Sequence, residues 1–411
     1  MDDLAAFLCE LVATPSVNPM GRSDCAGEAW ALETRLTDLL VARCERLPGC
    51  RLARQPVAPG RENLLVCLEG EPAPGEGDAV ILFDAHQDTV PIDGMTIEPF
   101  VPHIDGGRLY GRGACDTKGG MVAMMAAVSR LARERPVPRP TVVLAFPVDE
   151  EHGFSGVKAL TRLWSEDAAD GGLLPRRPDA AVVAEPTSLR IVVAHKGVVR
   201  WRCNSLGRAA HAAAPSTGEN AIYRMGHLLA VLESYADQVS IESTHPRCGG
   251  ATLSVGTIRG GVSVNTVPDR CTIEIDRRLV PGESPEEARQ AAVDSLAERG
   301  FRSPQVEHDP PWMYAPALTD ETNGLLAEGL AAAVRSVEGE AIVEGVPYAT
   351  DAAWLAAAGV PAVVFGPGSI AQAHTRDEWI ELAQVERAAE ILYRFITTSP
   401  LGVQPGGGGG R

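Results

Sequence analysis

Basic residues are in deficit: 37 Lys and Arg stand against 54 Asp and Glu, a formal net charge of −17. A chain this acidic is poorly suited to tracking a phosphate backbone or an anionic membrane surface, so neither nucleic acid nor membrane is expected as a partner. No run approaches the ~18 consecutive apolar residues of a membrane-spanning helix. The N-terminus, MDDLAAFLCELVATPSVNP, opens on two acids instead of the basic region of a secretory signal. The nine cysteines form no Cys-x-x-Cys pair, which argues against a thiolate zinc site or a redox dithiol. Their odd number and the missing export signal point to free thiols in the cytoplasm. What is present is ordinary globular material, 45% hydrophobic and 22% charged over 411 residues, enough for two or three domains.

The order of elements suggests one domain inserted into another. Helical spacing is read over 4–12, 28–46 and 121–132, and continuous apolar runs of strand length over 63–68, 79–85 (AVILFDA), 141–148 (TVVLAFPV) and 180–184. Apolar strands alternating with helices predict an α/β fold, a mostly parallel sheet with helices on both faces. From about residue 190 the order becomes strand (191–205), helix (220–236), strands (251–259 and 270–278), helix (285–298) and strand (302–307). This is the βαββαβ order of a split-βαβ sandwich. The first pattern then returns, with helices over 321–337, 351–358 and 382–397 and short strands over 342–344 and 362–365. The expected division is 1–188 and 309–399 for the larger domain, 189–308 for the insert, and a disordered tail over 400–411 ending in PGGGGGR.

Acids and histidines collect just after the apolar strands, where open α/β sheets bind ligands. DAHQDTVP supplies His86 and Asp88, GRGACDTKGG supplies Asp116, VDEEHG supplies Glu150 and Glu151, and VVAEPTS supplies Glu185; His374 lies farther on, in AQAHTRDEW. Each alone has a plain structural explanation: a core histidine, a turn aspartate, a solvated acidic pair, a surface histidine. Together they are hard to dismiss. Adjacent carboxylates at a strand end are costly unless a cation shares them. Asp88, two residues after His86, is spaced to reach the second imidazole nitrogen, as partners of metal-bound histidines do. Two histidines and three carboxylates without cysteine suit a hydrolytic zinc centre. One bridging carboxylate would distribute them over two ions, the arrangement of two-metal hydrolases.

DAHQDTVP, GRGACDTKGG, DEEHGFSG, AEPTS followed by HKG, and GGVSVNTVPDRCTIEIDRRLVPG resemble, in order and spacing over about 4–397, the acetylornithine deacetylase/succinyl-diaminopimelate desuccinylase family. That family belongs to the wider superfamily of dinuclear zinc aminoacylases and carboxypeptidases. The resemblance implies a zinc-exopeptidase-like catalytic domain interrupted by a βαββαβ lid that usually dimerises. It implies two zinc ions, for which cobalt or manganese can substitute. Asp116 would bridge them, His86 and Glu185 completing one site and Glu151 and His374 the other. Glu150 would be the general base and Asp88 the residue that orients His86. A cis peptide is implied at Asp116–Thr117.

In the lid, the resemblance implies that Arg278 grips a substrate carboxylate, that Asn265 contacts substrate and that His211 polarises the scissile carbonyl. Alternation in TIEIDRR puts Arg278 on the polar face, and its forked guanidinium can hold both oxygens of a carboxylate. Gly366 and Gly368 in FGPGS are candidates for offering backbone amides to substrate. His103, His152, His195, His227, His245 and His308 are read as structural or surface residues. The expected activity is zinc-dependent removal of the N-acyl group from an N-acylated amino acid. Acetylornithine is the first candidate substrate, succinyl-diaminopimelate the second, and a dipeptidase or carboxypeptidase activity follows. The expected assembly is a homodimer formed through the lid.

Overall fold

The computed structural model describes residues 4–22, 27–73, 77–164, 174 and 176–398. The tail from residue 400, expected to be disordered, lies outside the described residues. The chain divides into two compact units, one of Met1–Val193, Asp320–Glu344 and Thr350–Arg411, the other of Ala194–Thr319 and Gly345–Ala349. In chain order the first unit contributes α1 (Leu4–Val12), α2 (Thr34–Cys44), β1 (Cys50–Ala58), β2 (Arg61–Leu68), β3 (Val80–Asp84), α3 (Gly119–Glu134), β4 (Thr141–Phe146), α4 (Ser155–Thr161), β5 (Ala180–Val183) and β6 (Ile191–His195). Then come β7 (Gly197–Leu206), α5 (Ala221–Glu242), β8 (Thr252–Gly260), β9 (Arg270–Leu279), α6 (Pro285–Glu298) and β10 (Val306–His308). The last elements are α7 (Gly324–Glu338), β11 (Val343–Val346), α8 (Ala352–Ala357), β12 (Ala362–Val364) and α9 (Leu382–Thr398).

The first unit is built on an eight-stranded sheet in the order β1-β2-β4-β3-β5-β12-β6-β11. Its centre is parallel: β3 pairs with β4 and β5, and β12 with β5. The β1–β2, β2–β4 and β12–β6 pairs are antiparallel. Every residue of β3, β4 and β5 is buried, which explains why these strands read as unbroken apolar runs. Ile81 and Phe83 join a core with α3 and α9, through residues such as Met121, Val128, Leu392 and Phe395. The alternate residues Val80 and Leu82 are equally buried, and α8 packs on β5 and β12 while α4 packs on β1 and β2.

The second unit is a two-layer sandwich: strands in the order β8-β9-β7-β10, all antiparallel, under α5 and α6. Met225, Leu228, Leu232, Ala292 and Leu296 pack on Trp201, Ile273 and Ile275. The sheet's other face is polar, with Arg200 paired to Asp276 and Arg202 to Glu274. Asn220 caps α5, its side-chain oxygen accepting from Ile222 N and Tyr223 N at 3.0 and 3.1 Å.

Two local expectations change, and one strand has no signal in the sequence. The strand expected over 191–205 is two strands, β6 and β7, because the chain leaves one unit for the other at Ala194. Gly197, where β7 starts, has its Cβ position 2.6 Å from Ala315 O, so only glycine fits there. The helix expected from residue 28 begins at Thr34, because Val17 bonds Trp30 O and Leu32 N as an isolated bridge instead. The edge strand β1, with Pro56 and alternating burial, has no apolar run to announce it.

Candidate metal centre

Four of the singled-out segments leave the parallel centre of the sheet or its adjoining turns. His86 follows β3 by two residues, Glu185 follows β5 by two, and Glu150 and Glu151 follow β4 through Pro147–Asp149. Asp116 sits in an irregular turn before α3, with φ −119° and ψ 92°. The peptide after it, Asp116–Thr117, is cis. His374 comes from the loop after β12, with φ 60°.

The five side chains converge. His86 Nε2 lies 3.1 Å from Asp116 Oδ1 and 3.9 Å from Glu185 Oε1. His374 Nε2 lies 3.2 Å from Asp116 Oδ2 and 3.2 Å from Glu151 Oε2. The donor atoms form two groups, His86–Asp116–Glu185 and Asp116–Glu151–His374, each spanning no more than 4.8 Å. Asp116 belongs to both, one oxygen facing each histidine. Glu150 belongs to neither. All are buried or nearly so except His374, whose side chain is 52% exposed and marks the open side.

The electrostatics are those of a site built for cations. Burial, reinforced by neighbouring carboxylates, raises the Glu150 and Glu185 carboxyls well above the usual range and raises Glu151 as well. Burial also opposes ionisation of Asp116, but hydrogen bonds from His374 and His86 hold it low. Hydrogen bonds to Asp116 and Glu151 push His374 up to about 11. A dication in each donor group would relieve this crowding, and the nitrogen and oxygen donors suit zinc-like ions.

Asp88 reaches His86 through its main chain. His86 Nδ1 is 2.9 Å from the Asp88 backbone carbonyl and 3.7 Å from its carboxylate. The carboxylate instead accepts from Glu150 N at 3.0 Å and Glu151 N at 3.1 Å, and from Asn18 Nδ2 at 2.8 Å. One residue thus braces His86 through its main chain and the Glu150–Glu151 turn through its side chain. Burial works against its charge, yet His86, Arg61 and Asn18 hold it down at about 2.

Gly366 and Gly368 do not offer free amides. Gly366 N donates to Thr187 Oγ1 at 3.0 Å and Gly368 N to Gln384 Oε1 at 2.9 Å. What Gly366 provides is space, since its Cβ position is 2.6 Å from Glu185 O.

The remaining candidates lie in the second unit. His211 and Asn265 are exposed and adjacent: Ala212 N donates to Asn265 O at 3.0 Å, and His211 pairs with Thr266 across a short ladder. Arg278 is half-buried and donates through Nε to Asp276 at 2.7 Å. Its neighbour Arg277 points to the apolar side and is paired with Glu283 at 2.6 Å. His195 and His308 are pushed down to about 4, by burial above all, and stay neutral at pH 7.

Several buried polar residues around the centre carry no signal in the sequence. Arg61 forks onto Glu33 at 2.7 and 2.9 Å and reaches Asp149 at 2.6 Å, directly behind Glu150. Glu378, fully buried, bonds the turn that carries Asp116. Both sit in short polar stretches, RENLL and HTRDEW, with no apolar strand just before them.

Residues 82–398 match Peptidase family M20/M25/M40. The chain belongs to this family. It is a metal-dependent amide hydrolase, as the family match and the two donor groups agree. Among its relatives in family M20/M25/M40, it is 30% identical over 400 residues to the acetylornithine deacetylase of Proteus mirabilis (strain HI4320), covering 94% of each chain. It is 32% identical over 337 residues to the acetylornithine deacetylase of Myxococcus xanthus, covering 81% of this chain and 83% of the other. The fold resembles that of the M20 family metallo-carboxypeptidase Sso-CP2 from Sulfolobus solfataricus, with a TM-score of 0.77 at 17% identity over 97% of this chain and 100% of the other.

Proposed function

We propose that this M20 hydrolase removes the N-acyl group from an N-acylated amino acid, with acetylornithine as the leading substrate and two zinc ions as cofactors. The observation that carries the two-ion reading is the Asp116 carboxylate, with Oδ1 turned to His86 and Oδ2 to His374. The substrate reading rests on the two acetylornithine deacetylases, each at least 30% identical over more than four-fifths of this chain.

His86, Asp116 and Glu185 would hold one ion and Asp116, Glu151 and His374 the other. Bound there, the ions supply Lewis-acid polarisation of the amide carbonyl and lower the pKa of the attacking water. Glu150, close by but outside both donor groups, takes a proton from that water as it adds to the carbonyl carbon. Glu150 then passes that proton to the amine as the C–N bond breaks. His211 donates to the oxyanion, while Arg278 and Asn265 hold the amino-acid part. The products are a carboxylate and a free amino acid.

The second unit serves as lid and dimer interface in this reading. Its edge strand β8 has an unpaired side, and Ile258, Ile222, Tyr223, Val262 and Val264 are exposed beside it, at 39% to 101%. An apolar edge of this kind is commonly covered by a second copy. Cytoplasmic residence fits the buried thiols of Cys44, Cys67, Cys115, Cys203 and Cys271, none of them in a disulfide.

The deciding experiment is a hydrolysis panel of N-acetyl-ornithine, N-succinyl-diaminopimelate and several dipeptides, with metal analysis on the same sample. Fastest release of amine from N-acetyl-ornithine is expected. Preference for the succinyl compound or a dipeptide reassigns the substrate, and fewer than two ions per chain in the active enzyme removes the two-ion reading.

A further inference from the structure

The turn carrying Asp116 is not shaped by secondary structure. Gly113 has φ 81°, and Asp116 and Thr117 break the helical path ahead of α3. Backbone N–H groups in such a turn need acceptors from elsewhere. They converge on one side chain, Glu378, which has no exposed surface. Glu378 Oε1 accepts from Cys115 N at 2.8 Å and Asp116 N at 3.0 Å. Oε2 accepts from Gly113 N at 3.0 Å and from Arg112 Nη1 at 2.7 Å. The Glu378 main chain adds a fifth bond, from Gly111 N at 3.0 Å.

The position of Glu378 in the chain makes this more than a local brace. It lies 262 residues from Asp116 but only four from His374. The His374 segment is fixed separately by Arg376, whose carbonyl accepts from Thr96 N at 2.8 Å and whose Nε donates to Gly94 O at 2.7 Å. A carboxylate with four donors is therefore a direct tie between the loop that presents His374 and the turn that presents Asp116, beside the weaker bond from Cys115 Sγ to Ser369 O at 3.4 Å. Charge-assisted bonds of this kind are the strong ones, and their geometry is narrow.

We propose that Glu378 is a positioning residue that sets the Asp116 carboxylate between His86 and His374, so that both donor groups can close on metal at once. This rests on the reading of Asp116 as the shared ligand. Glu378 does not touch metal or substrate; it acts through the backbone of residues 113–116. A neutral amide of the same shape presents a donor where one of the N–H groups now finds an acceptor, and the turn must rotate to relieve the conflict.

The test compares wild type with Glu378→Gln and with Glu378→Asp, which keeps the charge and its ion pair with Arg112 but withdraws the carboxylate by one carbon. Three readouts are taken: cobalt titration followed by visible absorption, hydrogen exchange of the amides at 113, 115 and 116 in metal-free protein, and kcat and KM with N-acetyl-ornithine. For Glu378→Gln the expected results are at least tenfold weaker binding of one cobalt ion with the other retained, at least tenfold faster exchange at the three amides, and kcat at least 100-fold lower with KM within threefold. Glu378→Asp should show the same pattern at smaller size, and it serves as the folded variant if Glu378→Gln does not fold. A brace with no role in positioning would lower the melting temperature while cobalt affinity, spectrum and kcat stay at wild-type values; that result overturns the proposal. If wild type itself binds fewer than two cobalt ions, the shared-ligand reading fails instead, and the exchange data identify which of the two has failed.

Discussion

The two units present their candidate residues in opposite ways. In the first, His86, Asp116, Glu150, Glu151 and Glu185 are buried or nearly so, and side chains such as Asp88 and Glu378 hold the main chain beneath them. In the second, His211 and Asn265 are exposed on short loops, and Arg278 is occupied by a residue of its own strand, Asp276. A cluster of like charges needs a rigid frame before a cation arrives, because each misplaced carboxylate costs desolvation without return. Groups that meet a substrate can wait in solvent with a temporary partner. Loss of a group from the first unit should therefore be felt in metal content or kcat, loss of His211 in kcat with the metal retained, and loss of Arg278 or Asn265 mainly in KM.

The largest expected effect is metal removal. Dialysis against a chelator should abolish turnover, and zinc or cobalt should restore it; Glu151→Ala should lose metal and activity together, as read by elemental analysis. Glu150→Ala separates chemistry from binding inside the same unit. It should lower kcat by about 10²–10⁴, the usual contribution of a general acid–base group, with both ions retained. Loss of an ion in Glu150→Ala would break the distinction between that residue and Glu151.

The second unit is probed next. If His211 acts on the site of a partner chain, mixed dimers of His211→Ala and Glu150→Ala each contain one site with both groups intact. They should recover about half the wild-type activity, since one of two symmetric sites is restored. Verified mixed dimers that stay inactive would place His211 within its own chain's chemistry or outside it. The smallest effect is expected at Arg278. Arg278→Ala should raise KM by an amount corresponding to about 2–4 kcal/mol, and Arg278→Lys by less, because the charge survives and the fork does not. A substrate amide in place of the free carboxylate should be poor for wild type; equal rates on acid and amide would remove Arg278 from substrate binding.

What could be read from the sequence follows the same division. The parallel strands announce themselves because both faces are buried, and the acids and histidine at their ends inherit that clarity: His86, Glu151 and Glu185 are legible from strand ends, whereas Asp116 and His374 are assigned through the motifs that resemble the family's. Glu378, Arg61, Glu33 and Asn18 are not, since the partners that fix each of them come from segments far away in the chain. Arg277 shows a related limit. Alternation places it on the apolar side of β9, and only the structure supplies the reason a cation is tolerated there, its pairing with Glu283. Gly366 fails differently: the motif suggests an amide offered to a ligand, whereas the amide is spent on Thr187.

The meeting of His374 with Glu151 spans 223 residues of chain. At a synthesis rate of about 5–20 residues per second, roughly 10–45 s separate the emergence of one from the other. Throughout that interval the nascent chain holds a nest of carboxylates with one of its two histidine walls missing. The complete pair of donor groups thus waits for the segment that carries His374, and an ion captured earlier is held by half of the centre only.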